Sequence, residues 1–400
     1  MNNIITIPEQ IEEVLTRGVE TIYPKKEFLA HELASGRRLR LYCGFDPSAP
    51  SLHIGNAILI NKLAQFQALG HEIIFLIGDF TGMIGDPTDK SAARKQLTRE
   101  EVLANSASYQ AQAAHYLNFD GDNQAVVKYN SAWQDKLTFK DLVGLASNFT
   151  VQQMIQREMF QVRLKEEKPI FLHEFFYPLA QAYDSVAMEI DLEIGGNDQM
   201  FNMMAGRDLC KALQGRAKSV LTMKLLADAE GNKMGKTTGN ALFLDQDANQ
   251  MFGVVMSWPD EVIAIAFELA TTVPMAKVAE VKNRLAEGEN PRNLKIELAH
   301  ELVQLFHGGE DADKAQEYFR LAISEKTAPD DIPELSLADH ESLYAAVVSF
   351  YAGARSNTDI RRLFDNKAIY LNSEATDDQN AILKSGDQIR VGKKDWFIIK

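Results

Sequence analysis

Arg38-Leu-Arg-Leu-Tyr-Cys-Gly-Phe-Asp-Pro47, continued through Ser51-Leu-His-Ile-Gly-Asn56 to Ile73-Ile-Phe-Leu-Ile77, is the stretch on which the fold turns. Residues 38–43 alternate polar and apolar, as a strand does, and stop at the turn cluster Gly44 to Pro47. Residues 55–69 then set Leu59, Leu63, Phe66 and Leu69 on one helical face, with Gly70 as the stop. Ile73 to Ile77 is a continuous apolar run, which marks a strand covered on both faces. Strand, loop, helix, strand is a βαβ unit. It predicts an α/β, Rossmann-like parallel sheet with a ligand crevice beyond the carboxyl ends of its strands.

Working outward, residues 8–35 read as helix, with Ile11, Val14, Leu15, Val19 and Ile22 at helical spacing. Residues 99–170 read as a helical insertion interrupting the sheet, its apolar points being Phe139, Leu142, Leu145, Phe149, Met154 and Met159. A helix follows over Glu174 to Asp191, a strand at Leu192-Glu-Ile-Gly-Gly196, and a last core strand at Leu221-Thr-Met-Lys-Leu225. These make a catalytic domain of residues 1–240. Residues 241–335 read as an all-helical domain. It ends in the Pro- and acid-rich linker Lys326-Thr-Ala-Pro-Asp-Asp-Ile-Pro-Glu334. Residues 336–355 are linker and helix. Residues 356–400 form a small α+β domain, with a helix over Thr358 to Asp365 and strands at 369–371, 388–391 and 396–399.

The bulk numbers agree with this division. A chain of 400 residues is too long for one ordinary core. With 46% apolar and 24% charged residues, the composition is that of a globular protein, and no apolar run approaches the ~20 residues of a membrane helix. The N-terminus carries acidic residues and no basic n-region, so a cytoplasmic location is expected. Two cysteines, Cys43 and Cys210, make neither a disulfide framework nor a zinc site, and no metal site is expected. A net charge of −14 argues against nucleic-acid binding unless Lys and Arg are gathered in patches.

Three segments carry chemistry. The loop ending in His53-Ile-Gly-Asn56 lies where a strand feeds a helix, and a helix N-terminus suits an anion. Gly55 lets a ligand near the backbone, while His53 and Asn56 can donate to phosphate or ribose. A bare His-Ile-Gly is equally at home in an ordinary βα loop. Gly231-Asn-Lys-Met-Gly-Lys-Thr-Thr-Gly-Asn240 is not a P-loop, since only three residues separate Gly231 from Gly235. Two ammonium groups on a glycine-hinged loop suit the clamping of pyrophosphate as charge develops. Finally, Tyr177, Gln181 and Asp184 stand at i, i+4 and i+7 on one helix face. Their polar tips need partners if that face is core, and a half-exposed amphipathic helix is the alternative.

Together these residues resemble the class I aminoacyl-tRNA synthetases of the bacterial tyrosine-specific family. His53 to Asn56 resembles the HIGH signature, with Asn56 in place of its last His. Lys233 to Thr237 resembles KMSKS, with Gly235 and Thr237 in place of its serines. The resemblance implies tyrosine–tRNA ligation: tyrosine attacks ATP, brought in with Mg²⁺, and the tyrosyl group passes to tRNA. It implies catalysis by His53, Asn56, Lys233, Lys236 and Thr237. Tyr42 and Asp184 would bind the phenol, Tyr177, Gln181 and Asp86 the ammonium, and Gln199 would reach the amino acid. Gly44, Asp46, Gly55, Gly196 and Asp198 would line the ATP site, and Asn197 stands where relatives carry Ser or Thr. Thr81, Lys90, Arg94 and Asn130 would be auxiliary. Residues 356–400 resemble a small RNA-binding domain, with Arg361, Arg362, Lys384, Arg390, Lys393, Lys394 and Lys400 as its basic groups. A homodimer through the insertion is implied, with Phe149, Met154 and Met159 as candidates, although these could equally pack within one subunit. A tryptophanyl synthetase and an inactive synthetase-derived RNA-binding protein are the rival readings. The Tyr42/Asp184 pair and the C-terminal domain favour tyrosine, and retention of His53, Lys233, Lys236 and Asp184 favours an enzyme.

Overall fold

The computed structural model describes residues 4–88, 96–227, 241–325, 332–337, 342–392 and 395–400, except the side chains of 323–325. The chain folds into two units. One holds residues 1–246 with 257–298, the other 247–256 with 299–400. This division cuts across the helical stretch 241–335 that the sequence sets apart.

The first unit is built on a six-stranded sheet. Its strands are β1 Val19–Tyr23, β2 Arg40–Phe45, β3 Glu72–Ile77, β4 Val126–Tyr129, β5 Leu192–Gly196 and β6 Ser219–Met223, in the order β1-β6-β5-β2-β3-β4. All neighbours pair in parallel except β1 with β6. The apolar run of the sequence is β3, where Ile73 to Ile77 are all at most 2% exposed. The helix Ile54–Ala68 returns the chain from β2 to β3 and buries Ile58, Leu63 and Phe66. Helix Phe176–Ala187 precedes β5 and helix Met200–Gln214 follows it. The parallel pairing brings Phe45, Ile77, Gly196 and Met223 to one edge, where the loops gather.

Three expectations are corrected. Residues 8–35 are two helices, Pro8–Thr16 and Lys26–Ala34, with β1 between them. Gly18 at φ +65° and Pro24 bracket a β-branched run that a helical count conceals. The stretch 99–170 is helical except for β4, which completes the sheet, so the insertion begins after residue 129. The helix expected from Glu174 begins at Phe176, after a 3₁₀ turn Leu172–Phe175, and ends at Ala187.

The second unit contains helices Ala248–Met256 and Gly309–Phe319, the C-terminal part of Pro291–His307, and a five-stranded sheet. That sheet orders β7 Glu334–Leu335, β11 Asp395–Ile399, β10 Gln388–Val391, β8 Ile369–Leu371 and β9 Glu374–Thr376. β7 and β9 are additions to the three strands expected. Helices Leu343–Tyr351 and Asn357–Asp365 share a core with the sheet, through Leu343, Val347, Ile360, Phe364, Ile389 and Phe397. The linker residues 326–331 lie outside the described residues.

Candidate active site

At the carboxyl edge of β2, β3 and β5 lies a cavity of about 410 Å³. It collects Tyr42, Gly44, Asp46, His53, Gly55, Asn56, Thr81, Asp86, Asn130, Tyr177, Gln181, Asp184, Gly196, Asp198 and Gln199 from segments far apart in sequence. Lys90, Arg94, Lys233, Lys236 and Thr237 lie outside the described residues.

The loop after β2 turns into the helix Ile54–Ala68 through a reciprocal cap. His53 Nδ1 accepts from the Gly55 N–H at 3.1 Å, and Asn56 Oδ1 accepts from the His53 N–H at 3.1 Å. An imidazole that accepts at Nδ1 carries its proton on Nε2. Asn56 is held by its oxygen, which leaves its amide as the donating end. The His and Asn of this segment therefore start the helix and face the cavity together. Gly196, at the end of β5, gives close access: a Cβ there would stand 2.4 Å from Asp198 Oδ1.

Asp184 is 2% exposed and accepts from three donors. Trp133 Nε1 and Gln134 Nε2 each reach Oδ1 at 2.7 Å, and Asn130 Nδ2 reaches Oδ2 at 3.2 Å. Burial pushes its carboxyl up from the usual 3.8 to about 7, against the pull of those donors. Tyr42 is 1% exposed and its hydroxyl lies 3.1 Å from Ser185 Oγ. Burial first, then the charges of Glu193 and Asp184, hold its phenol well above the ordinary tyrosine range.

A second group is acidic. Tyr177 donates its hydroxyl to Asp46 Oδ2 at 2.8 Å, and Thr81 donates to Asp46 Oδ1 at 2.6 Å. Asp86 Oδ1 accepts from Thr88 N and Oγ1, at 2.9 and 2.6 Å, and Oδ2 accepts from Gln199 Nε2 at 2.7 Å. Gln181 Nε2 donates to Glu193 Oε1 at 3.0 Å. Tyr177, Gln181 and Asp184 thus share one face, as their spacing predicts, and that face is the cavity wall. The half-exposed alternative does not apply to Tyr177 and Asp184, which are 6% and 2% exposed.

The structure adds residues that the sequence reading passed over. Trp133 and Gln134 support Asp184, and nothing in their local pattern marks them. Glu193 lines the cavity, and a carboxylate inside an apolar strand is a legible signal of a partner. Ser48, Cys43 and Lys224 also line it. Of the residues expected at a subunit surface, Met154 is 4% exposed, Phe149 is half-buried against the cluster that holds Leu145, Ala182 and Leu209, and Met159 is half-buried. The most exposed large apolar side chains of this region are Phe139, Val143, Val151 and Leu172, at 82, 56, 73 and 69%.

Residues 34–324 match the model of the tRNA synthetases class I (W and Y). A tyrosine–tRNA ligase of Carboxydothermus hydrogenoformans is 42% identical over 97% of this chain and 97% of its own. That of Thermotoga maritima is 37% identical over 98% of each. Among solved structures, a C-terminally truncated mitochondrial tyrosyl-tRNA synthetase of Aspergillus nidulans superposes with a TM-score of 0.66 at 22% identity, over 78% of this chain and 93% of that one. A tyrosyl-tRNA synthetase of Archaeoglobus fulgidus complexed with L-tyrosine superposes with a TM-score of 0.62 at 23% identity, over 78% and 100%. At those identities the structural matches speak to the fold.

Proposed function

The chain belongs to the tryptophan and tyrosine family of class I tRNA synthetases, and from that premise we infer that its reaction is the ligation of tyrosine to tRNA. It is a tyrosine-specific aminoacyl-tRNA ligase, as its relatives over nearly the full length are. The tryptophan-specific and inactive readings gain no support from these relatives. The observation that carries the substrate is the buried Asp184, clamped by three donors beside Tyr42 at one cavity wall. Oδ2 of that carboxylate accepts from Asn130 alone, so it has room for one donor more, which a phenolic hydroxyl supplies and phenylalanine does not.

We assign the remaining roles on this basis. Tyr177, Gln181 and Asp86 receive the ammonium group, supported by Asp46 and Gln199. Asp198, beside Gly44 and Gly196, takes the ribose. His53 and Asn56, at the helix N-terminus, donate to the phosphates. Lys233, Lys236 and Thr237 close on pyrophosphate, with Lys90 and Arg94 as further cations. Thr81 and Asn130 position Asp46 and Asp184. The tyrosine carboxylate is already a nucleophile, so activation needs no general base. It proceeds by alignment and by stabilising charge on the leaving pyrophosphate. ATP enters with its Mg²⁺ as substrate. The tyrosyl group then passes to the terminal ribose of tRNA, gripped through the basic groups of residues 356–400. The enzyme acts in the cytoplasm as a homodimer joined through the exposed face around Phe139, Val143 and Val151. ATP–pyrophosphate exchange with each amino acid in turn tests the assignment. Tyrosine alone should support exchange, and silence with tyrosine refutes it.

A further inference from the structure

Behind the cavity wall a buried polar chain joins Tyr42 and Gln181 to three residues that have been given no role, Ser185, Glu193 and Lys218. Lys218 ends it. Its ammonium is fully buried, pairs with Glu193 Oε2, and donates to Ser185 Oγ at 2.7 Å and to the Met203 carbonyl at 3.2 Å. Ser185 Oγ lies 3.1 Å from the Tyr42 hydroxyl and 3.3 Å from Glu193 Oε2. Glu193 Oε1 accepts from Gln181 Nε2 at 3.0 Å. Lys218, Ser185, Tyr42 and Glu193 are each at most 2% exposed. Gly206 makes the room: a Cβ there would stand 2.5 Å from Lys218 Nζ and 3.0 Å from Ser185 Oγ.

The chain has a direction. An ammonium only donates, so Ser185 Oγ accepts from Lys218 and must send its single proton elsewhere. Two acceptors are in reach, Glu193 Oε2 at 3.3 Å and the Tyr42 oxygen at 3.1 Å. The nearer acceptor is Tyr42. A Tyr42 oxygen that accepts from Ser185 keeps its own proton to donate to a phenolic oxygen. The phenol's proton then goes to Asp184, whose three protein partners are all donors. On the other branch, Glu193 takes the amide nitrogen of Gln181 and leaves the amide oxygen as the acceptor, the polarity an ammonium requires.

We propose that Lys218 is a positioning residue for amino-acid selection: through Ser185 and Glu193 it sets the donor and acceptor polarity of Tyr42 and Gln181. This rests on the tyrosine reading of the cavity. A buried ion pair can also be purely structural, and such pairs are often replaceable by apolar groups without loss of stability. The two roles separate in selectivity.

The test uses the full-length enzyme and the variants Ser185→Ala, Lys218→Met and Glu193→Gln/Lys218→Met, each checked by thermal melting. ATP–pyrophosphate exchange is measured with tyrosine and with phenylalanine. A wild type without tyrosine exchange sinks the tyrosine reading, and this proposal with it. Given wild-type exchange, Ser185→Ala should raise the KM for tyrosine about tenfold, as loss of one buried hydrogen bond does. Its tyrosine-over-phenylalanine preference should fall by a similar factor, with the KM for ATP unchanged. Lys218→Met should do the same where it folds. The double variant leaves no unpaired charge, so it should melt like the wild type and still lose preference. If Ser185→Ala and the double variant both keep the wild-type preference, the pair is structural and Lys218 has no part in selection.

Discussion

In the role proposed for it, Asp184 ties burial to selectivity. Three donors cannot fully replace the water it loses, so burial dominates and its carboxyl titrates near 7 instead of 3.8. The sign follows directly. Above pH 7 the group is charged in folded and unfolded chains alike, and the folded state bears the cost of burying it. Between pH 7 and about 4 only the folded state holds the proton, so that cost is relieved as pH falls. Function runs the other way, because a protonated Asp184 is a poorer acceptor for the phenol. In the wild type the KM for tyrosine should therefore be flat above pH 8 and rise as pH drops through 7, while the KM for ATP stays level. Asp184→Asn should show a high KM for tyrosine at every pH. Exchange kinetics from pH 5.5 to 8.5 measure both, and a tyrosine KM that is flat across pH 7 would contradict the assignment.

At the scale of elements, the start of helix Ile54–Ala68 combines two duties in one side chain. Asn56 Oδ1 holds the His53 N–H, and its amide end is left to donate. Asn56→Asp keeps the accepting oxygen and replaces the donor by an acceptor. Its melting temperature should match the wild type, while adenylate formation by stopped flow should fall about a hundredfold, the usual scale for losing a donor to developing charge. Asn56→Ala should also lose the cap, at about 1 kcal/mol of stability. This segment was legible in the sequence because everything it needs is local: a strand period, a turn, a capped helix and a second apolar strand. β1 and β4 were not legible. Each is an edge strand of four or five residues, half exposed, set among helices, so its apolar signal is short and its pairing partner is distant in sequence. The cavity wall Tyr177, Gln181, Asp184 was legible by helical spacing. Trp133, Gln134, Ser185 and Lys218 were not, since their roles arise only when other elements pack against them.

At the scale of the whole molecule, the function proposed above asks an acidic chain to bind a polyanion and a second copy of itself. The helix Phe139–Ala146 exposes Phe139 and Val143 on the far side from its buried Leu145. Phe139→Asp with Val143→Asp should shift sedimentation from dimer to monomer without lowering the melting temperature of the subunit. An unchanged dimer would place the interface elsewhere. The sequence offered Phe149, Met154 and Met159 for this surface and left packing within one subunit equally open, because burial within a subunit and burial between subunits select the same residue types. Charge sorts in a similar way in the second unit. Arg390 looked like a surface cation, yet it is 8% exposed, with its guanidinium 3.8 Å above the Tyr370 ring and 5.6 Å from Trp396. Its guanidinium packs on those two rings of the small sheet, which leaves it less open to a phosphate than the exposed cations of this unit. Lys393 and Lys394 lie outside the described residues. Arg361 and Arg362 are both exposed on the helix Asn357–Asp365, and Arg361 also lies 5.9 Å over the Tyr344 ring. If that helix carries the phosphate contacts, its two arginines act only on the step that involves tRNA. Arg361→Glu with Arg362→Glu should leave tyrosine-dependent pyrophosphate exchange unchanged and raise the KM for tRNA in aminoacylation by tenfold or more, on the order expected for losing two phosphate contacts. The salt dependence of tRNA binding should flatten by about two phosphates' worth of slope. Equal loss of exchange and transfer would mean that the substitutions damage the fold, and no loss in either would move the tRNA grip to another face.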